Sequence, residues 1–169
     1  LINTVDRTVE TKEYDVLMTE LKNKVSQLGG YIEHLDTYNG SSYSSYRSSR
    51  SASLTIRIPK DKLNDFVETV SGISNVVRRS DNVEDVTLSY VDMESRRNTL
   101  QTEQERLLAL LAKAESIEDI ITIEDRLSTV RYQLESMESK LRTIDNQVDY
   151  STVHIYVEEV ERYTPQPEK

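Results

Sequence analysis

Four short stretches in the first half of the chain are predicted to be β-strands, and two of them, residues 1–10 and 53–58, show the alternation of apolar and polar residues that is typical of strands. In the clearest stretch, residues 53–58, Leu, Ile and Ile point to one side and Ser, Thr and Arg to the other. The other stretches are 1–10, 31–38 and 75–87, and the last of these is expected to contain a bulge. Pro59 predicts the end of the clearest strand, because proline lacks the N–H that a strand ladder uses.

Two segments between these strands have apolar residues at the spacing of an amphipathic helix. They are residues 14–28, which Gly29 and Gly30 are suited to end, and the segment from Asp61, a candidate N-cap, to Gly72. The predicted order is therefore β-α-β-β-α-β, the split βαβ arrangement of ferredoxin-like folds. Its usual form is a four-stranded antiparallel sheet with both helices on one face.

A longer apolar pattern in residues 90–149 predicts two long helices. The second helix keeps apolar residues at alternating spacings of three and four, the a/d seam of a coiled coil, whereas the seam of the first is weaker. The seam residues are Met93, Leu100, Leu107, Leu111 and Ala114 in the first helix and Ile120, Ile123, Leu127, Val130, Leu134, Met137, Leu141, Ile144 and Val148 in the second. About three residues separate the helices, so we expect an antiparallel coiled-coil hairpin.

Ser116 is placed to cap the second helix, and a turn at that point sets the register of the hairpin. Leu111 then lies opposite Ile120, and Leu100 lies near Val130.

Arg97 and Gln104 interrupt the seam of the first helix and have two interpretations. Polar seam residues fix the register of a coiled coil at some cost in stability, which is the interpretation we favour. Alternatively, they mark a groove that accepts a partner helix.

Residues 150–162 contain a last strand, which makes the hairpin an insertion in an α+β fold. The predicted domains are a ferredoxin-like sheet domain, residues 1–89 with 150–162, and the coiled-coil hairpin, residues 90–149. Residues 163–169 contain two prolines and are predicted to be a linker to a membrane anchor outside this sequence.

The composition limits the partners of the chain. A formal charge of −9 argues against a nucleic-acid partner, because phosphate binding needs a basic face and none stands out in the sequence. The absence of cysteine removes disulfides, thiolate metal sites and cysteine catalysis. The two histidines, His34 and His154, have no spacing that suggests a metal site or a general base. With no nucleophile elbow and no phosphate-binding loop, the chain is predicted not to be an enzyme and to use no cofactor.

The clearest candidate binding segment is residues 39–51, which mixes two tyrosines and two arginines with seven serines. Its candidate contact residues are Tyr43, Tyr46, Arg47 and Arg50. Tyr, Ser, Gly and Arg are the residues that adaptable binding loops use. The alternative, which we favour, is a loop whose composition is simple because nothing constrains it.

Five blocks of residues form a recognisable set: 51–59 (Ser-Ala-Ser-Leu-Thr-Ile-Arg-Ile-Pro), 90–92 (Tyr-Val-Asp), 104–107 (Gln-Glu-Arg-Leu), 123–124 (Ile-Glu) and 145–152 (Asp-Asn-Gln-Val-Asp-Tyr-Ser-Thr). In their order and spacing these blocks resemble the bacterial domain of unknown function 4349 family. The resemblance implies an extracytoplasmic domain of a bacterial membrane protein or lipoprotein, in some members following a zinc module like that of anti-sigma factors. It implies no catalytic residues, and the Ser/Tyr-rich loop departs from the family pattern.

Together these observations favour a non-enzymatic interaction or sensor domain at the extracytoplasmic face of a bacterial membrane. The hairpin would be its docking surface and a protein of the cell envelope its partner, whereas the sequence does not predict the oligomeric state. The alternatives are a structural spacer or adaptor-like element of an envelope or transport assembly, and a small-molecule or glycan binder that uses the Tyr/Ser loop.

Overall fold

A computed structural model describes residues 1–39 and 49–166 of the chain. The helices and strands, in chain order, are β1 (Ile2–Thr11), α1 (Tyr14–Gln27), β2 (Tyr31–Tyr38), β3 (Ser51–Pro59), a single 3-10 turn (Lys60–Lys62), α2 (Leu63–Ile73), β4 (Asn75–Glu84), α3 (Thr87–Lys113), α4 (Ile117–Asp149) and β5 (Tyr150–Glu159). The chain divides into two compact units, Leu1–Glu84 with Gln147–Lys169, called the sheet unit below, and Asp85–Asn146, called the hairpin unit.

The sheet unit confirms the predicted α+β class. Its strand order is β2-β3-β5-β1-β4. Without β5, this order is that of a ferredoxin-like sheet, with β1 and β3 as the central strands. The expected four-stranded antiparallel sheet is wrong in one respect: β5 lies between β3 and β1, antiparallel to the first and parallel to the second. The last strand of the chain is therefore the middle strand of the sheet.

One face of the sheet is covered by α1 and α2 and forms the main core. Alternate residues of the three middle strands supply its floor, and side chains of the two helices its cover, with Phe66 and Leu21 fully buried. The predicted alternation in β3 is confirmed, since Leu54, Ile56 and Ile58 are each at most 1% exposed. Both helices pack on the same face, as a split βαβ fold requires.

The connection from α1 to β2 depends on two glycines. Gly29 has φ of +80°, and the N–H of Gly30 donates to the carbonyl of Val25, which confirms the predicted glycine end of α1. A Cβ on Gly30 would lie 2.5 Å from the backbone oxygen of Arg57, so the strand packs too closely there for a side chain.

One predicted helix signal is wrong and another is displaced by one residue. Asp61 does not cap α2, because Lys60–Lys62 forms a 3-10 turn and α2 begins only at Leu63, without a side-chain cap. Gly72 is the last residue but one of α2, and Ser74 is the C-cap. The Ser74 hydroxyl donates to the carbonyl of Val70 at 2.5 Å, so a hydroxyl and not a glycine satisfies the end of this helix.

The boundary between β4 and α3 also differs from the prediction. The strand ends at Glu84, and α3 begins at Thr87, three residues before the expected start at residue 90. Asp85 accepts hydrogen bonds from the Thr87 hydroxyl (2.6 Å) and N–H (3.0 Å), and these bonds lower the pKa of Asp85. The carboxylate thus satisfies an N–H of the first helical turn, which has no partner inside the helix. The expected bulge is present, since the pairing of β4 with β1 shifts register between Thr8 and Val9.

The hairpin unit consists of two antiparallel helices, as predicted. Ser116 caps α4, because its hydroxyl accepts a hydrogen bond of 3.1 Å from the N–H of Asp119. Across the helices, Arg126 pairs with Glu103 at 2.7 Å. With Leu111 opposite Ile120, the predicted register places residue 103 level with residue 128, and the ion pair to residue 126 agrees with it to within one helical turn.

The seam residues of the two helices are buried to different degrees. In α4, Leu127, Val130, Leu134, Leu141 and Ile144 are buried, and Ile120, Ile123, Met137 and Val148 are half-buried. In α3, whose 27 residues are all described, no side chain is fully buried. Met93, Leu100, Leu107, Leu111 and Ala114 are half-buried there. The weaker sequence pattern of the first helix thus corresponds to a more open side of the hairpin.

Candidate functional site

The Tyr/Ser loop lies mostly outside the described residues. Of its four candidate contact residues, Tyr43, Tyr46 and Arg47 are not described, and only Arg50 is. The Arg50 guanidinium donates to Glu159 at 2.7 Å and to Asp15 at 3.0 Å, and it lies 4.6 Å from the centre of the Tyr14 ring. These two carboxylates raise the pKa of Arg50.

Two neighbours of Arg50, Glu159 and Tyr14, also have shifted pKa values. The hydrogen bonds of Arg50 hold the pKa of Glu159 below the ordinary value, whereas burial raises the pKa of the Tyr14 hydroxyl. Arg50 therefore ties the start of β3 to β5 and α1. A side chain with three partners in the fold is a poor candidate for a free contact residue.

The two histidines lie on the sheet face that α1 and α2 do not cover. His34 and His154 both pair with Thr55 across the strands, so all three side chains point to the same face. His34 contacts Asp36 at 2.8 Å, and His154 contacts the Thr55 hydroxyl at 3.3 Å. Within the described part of the chain, no group of three or more His, Asp or Glu side chains could hold a metal ion.

A buried carboxylate that the sequence did not single out organises the segment after β5. Glu10 is 6% exposed and accepts hydrogen bonds from the Thr164 N–H (2.9 Å), the Thr164 hydroxyl (3.1 Å) and the Asn75 amide (3.0 Å). Burial alone would raise the pKa of Glu10, but these hydrogen bonds outweigh it and the pKa is lowered.

Further contacts hold the same segment on the sheet unit. The Lys12 ammonium lies 4.7 Å from the centre of the Tyr163 ring, and the Gln166 amide donates to the carbonyl of Val76 at 2.8 Å. The first residues of the predicted linker are therefore bound to the fold. No local pattern could have revealed this, because the partners are separated by 90 residues or more.

A second buried charge lies on the helix-covered face of the sheet. Arg7 lies on the same face of β1 as Val5 and Val9, because residues two apart in a strand point to the same side, and it is 7% exposed. Its guanidinium pairs with Asp81 of β4 at 2.6 Å, which compensates for the burial of the charge. We regard this ion pair as structural, because the Asp81 carboxylate is already occupied by the Arg7 guanidinium of the same chain.

Arg97 and Gln104 are both half-buried in the hairpin unit. An Nη of Arg97 donates to the Asn98 side chain at 3.2 Å, while its Nε is buried without a hydrogen-bond partner. At the base of the same helix, the Tyr90 hydroxyl donates to Asp145 of α4, and this bond raises the pKa of Tyr90. Tyr90 and Asp145 give a second level at which α3 and α4 meet, in agreement with the antiparallel register.

The end of the hairpin where α3 and α4 are joined exposes large apolar side chains. Leu108 and Leu110 of α3 are 46% and 56% exposed, and Ile117 and Ile121 of α4 are 75% and 54% exposed. We call these four residues the tip patch. Sequence analysis did not select them, since it considered the seam positions of the hairpin and these residues lie outside the seam. Their signal in the sequence is the run of apolar residues outside the seam.

Along one flank of the hairpin unit, α3 and α4 leave two open cavities, called together the flank groove. The larger has a volume of about 450 Å³, and Leu100, Met137 and Tyr132 line it together with Arg96 and Lys140. The smaller, about 350 Å³, lies near the tip and is lined by Leu110, Lys113, Ala114, Asp119, Thr122 and Ile123. The Arg126–Glu103 ion pair connects the helices at a level between these cavities.

Comparison with known proteins identifies a family and nothing closer. The sequence model of the family described as Domain of unknown function (DUF4349) matches residues 1–169. Neither a curated protein nor a solved structure matches the chain. Because the match covers the whole sequence, the chain belongs to the DUF4349 family.

Proposed function

We propose that this chain is a non-catalytic interaction domain that docks a protein partner through its hairpin, at the extracytoplasmic face of a bacterial membrane. The observation that carries the docking proposal is the tip patch, in which four large apolar side chains are 46% to 75% exposed. Large apolar side chains exposed near one end of a hairpin, here on both of its flanks, mark candidate sites of association.

The remaining chemistry of the chain supports a binding role over a catalytic one. The perturbed carboxyl groups Glu10, Asp85 and Glu159 each accept hydrogen bonds from a neighbouring residue of the fold, which accounts for their pKa values without a substrate. The two histidines contact an aspartate and a threonine on an open sheet face, where water is not excluded. The pKa shifts of the carboxyl groups and the contacts of the histidines are thus accounted for by interactions that stabilise the fold.

The location rests on the resemblance to extracytoplasmic domains of membrane proteins. Among the residues that the structure describes, no helix combines the length and apolar character needed to cross a membrane.

A structural role as a spacer is the second candidate, and the length of the hairpin favours it. Helix α4 has 33 residues, and at about 1.5 Å per residue such a helix is roughly 50 Å long. A spacer should assemble with a defined stoichiometry, whereas a sensor can remain monomeric until it meets its partner.

Photo-crosslinking in the native cell tests the docking proposal. A photoreactive amino acid replaces Ile117 of the tip patch, and in a matched control it replaces Val16, which is 50% exposed on α1. We expect a discrete adduct with a protein from position 117 and none from position 16. The proposal fails if the two positions give the same adducts, or if position 117 gives none.

A further inference from the structure

We infer that the partner of the hairpin is a second copy of this chain, whose α4 lies with its outer flank in the flank groove of the first copy. This inference rests on the proposed function and names its partner. It follows from the match between two surfaces of the hairpin unit in apolar character and in charge.

The residues that line the two cavities of the flank groove have a net positive charge, although the chain as a whole is acidic. Among the residues that line its two cavities are three cations, Arg96, Lys113 and Lys140, and a single acid, Asp119. The formal charge of the whole chain is −9, so most of the surface would repel an acidic segment and this groove would attract one.

The complementary surface is a second stripe of residues on α4. Residues 117, 121, 124, 128, 131, 135 and 138 recur at spacings of four and three, so they share one side of the helix. They are Ile117, Ile121, Glu124, Ser128, Arg131, Glu135 and Glu138, and we call them the acidic stripe. Three glutamates and one arginine give it the opposite charge to the groove.

The acidic stripe and the groove lie on opposite flanks of α4. The groove-lining residues Asp119, Thr122, Gln133, Ser136 and Lys140 also follow a three- and four-residue spacing, and Arg126, which pairs with Glu103, falls within it. In a helix with 3.6 residues per turn, this series and the stripe are separated by the buried seam on one side and by solvent on the other. One copy therefore offers both surfaces at once.

The two surfaces also match along their length. Near the tip, the stripe is apolar at Ile117 and Ile121, and the groove there is lined by Leu110, Ala114 and Ile123. Further from the tip, the stripe carries Glu135 and Glu138, and the groove carries Arg96 and Lys140. Hairpins that lie side by side with their tips at the same end bring apolar residues together at one level and opposite charges together at the other.

Such a contact joins two different surfaces, so each added copy presents a free groove or a free stripe to the next. Contacts of this kind close into rings or continue as filaments, depending on the rotation between neighbours. The tip patch also becomes partly covered in the assembly, since Ile117, Ile121 and Leu110 belong to the contact. This explains why apolar side chains are exposed in the single chain.

Charge reversal in the full chain tests the inference. Sedimentation velocity over a range of concentrations at low salt compares the parent with a groove variant, Arg96→Glu with Lys140→Glu, and a stripe variant, Glu135→Lys with Glu138→Lys. We expect the parent to self-associate and each variant alone to sediment as a monomer. An equimolar mixture of the two variants should associate again, because the reversed groove then meets the reversed stripe and the unchanged pair also remains available.

A matched control reverses two exposed lysines of the sheet unit, Lys22→Glu with Lys60→Glu, which changes the net charge as much as the groove variant does. This control should associate like the parent. The inference is overturned if the parent is monomeric at every concentration, if the control dissociates as the groove variant does, or if the mixture stays monomeric.

The two proposals can fail separately. A monomeric parent whose position 117 still crosslinks to another protein in the cell removes the second copy as partner and keeps the docking role of the hairpin. The absence of both self-association and crosslinks at position 117 removes both proposals.

Discussion

The sheet unit and the hairpin unit bury their apolar residues in different ways. In the sheet unit, strands β1, β3, β4 and β5 and both short helices contribute to a closed core, in which Leu21, Ile56 and Phe66 are completely buried. In the hairpin unit, the five fully buried side chains all belong to α4. A sheet covered by two helices surrounds its core, whereas each helix of a two-helix hairpin has one neighbour.

This difference separates the tasks of the two units. The buried charged side chains of the sheet unit, Arg7, Glu10 and Arg57, all bind residues of the same unit. The hairpin unit leaves apolar groups exposed that a further helix would cover, which is the arrangement expected of a surface that associates. We therefore expect stability to be concentrated in the sheet unit, and we propose that the hairpin unit is the one that binds a partner.

The same substitution in both units measures the contrast directly. Leu54→Ala in β3 should lower the free energy of unfolding by about 3–5 kcal/mol and Leu134→Ala in α4 by about 2–4 kcal/mol, because a closed core collapses less around a cavity. Leu54 is 1% exposed and Leu134 is 8% exposed. Chemical denaturation gives the global values, and hydrogen exchange assigns each loss to its unit.

Leu108→Ala is the matched control, since Leu108 is 46% exposed on α3. It should change the free energy of unfolding by no more than about 0.5 kcal/mol. A Leu134 variant as stable as the Leu108 variant would show that α4 has no buried seam, and the contrast between the units would lose its basis.

A methyl group at Gly30 should disturb the sheet unit at its tightest point. The new Cβ would lie 2.5 Å from the Arg57 oxygen and 2.7 Å from Ile58 Cδ1, so the backbone must move. We expect Gly30→Ala to cost about 1–3 kcal/mol of stability, as overpacking does. Thermal unfolding measures this cost.

Gly72→Ala is the control, because a Cβ there has no heavy atom within 4 Å and Gly72 lies inside α2. It should stabilise the chain by about 0.5–1 kcal/mol through helix propensity. Equal effects of the two substitutions would contradict the close approach of β3 to Gly30.

On the side of the hairpin, Ser116→Ala removes the cap of α4. The loss of the hydrogen bond to the Asp119 N–H should cost about 1 kcal/mol. Faster hydrogen exchange should appear in the first turn of α4 and not in the sheet unit. The control is Ser128→Ala, at an exposed position within α4, which should leave hydrogen exchange in the first turn of α4 unchanged. If Ser116→Ala also leaves exchange in that turn unchanged, the cap does not contribute to the stability of the helix.

Much of this contrast could be read from local sequence patterns. The predicted bounds of β2, residues 31–38, agree with the structure, and a seam kept for four heptads predicted α4. Such patterns are local, because the period of a strand or a helix is repeated within a few residues. The weaker seam of α3 corresponds to its lower burial in the structure.

What the sequence did not reveal depends on pairing between distant residues. The alternation in β5 shows that it is a strand but not that it lies between β3 and β1. The residues of one strand do not by themselves specify which other strands it pairs with. The same holds for Arg7, whose partner Asp81 is 74 residues away, and for Glu10. For the candidate site, the search followed the seam and the loop, whereas the tip patch lies outside both.

The smallest predicted effect concerns the buried carboxylate of the sheet unit and depends on pH. The hydrogen bonds from Thr164 and Asn75 favour ionised Glu10, so its pKa in the folded chain is below the ordinary value of 4.5. The unfolded chain then binds more protons as the pH falls below about 4.5, and the stabilisation is lost as the pH passes through the folded pKa. At neutral pH, Glu10→Gln should cost about 0.5–1 kcal/mol, because the amide keeps one acceptor oxygen but no charge. Denaturation at pH 7 and at steps below pH 4.5 should show the parent and the variant converging, whereas Glu68→Gln, an exposed change on α2, should follow the parent throughout. A difference in stability between the parent and the Glu10 variant that stays constant down to pH 2 would mean that the charge of Glu10 does not hold the segment after β5. The contrast between a closed end of the sheet unit and the exposed tip of the hairpin would then be weaker.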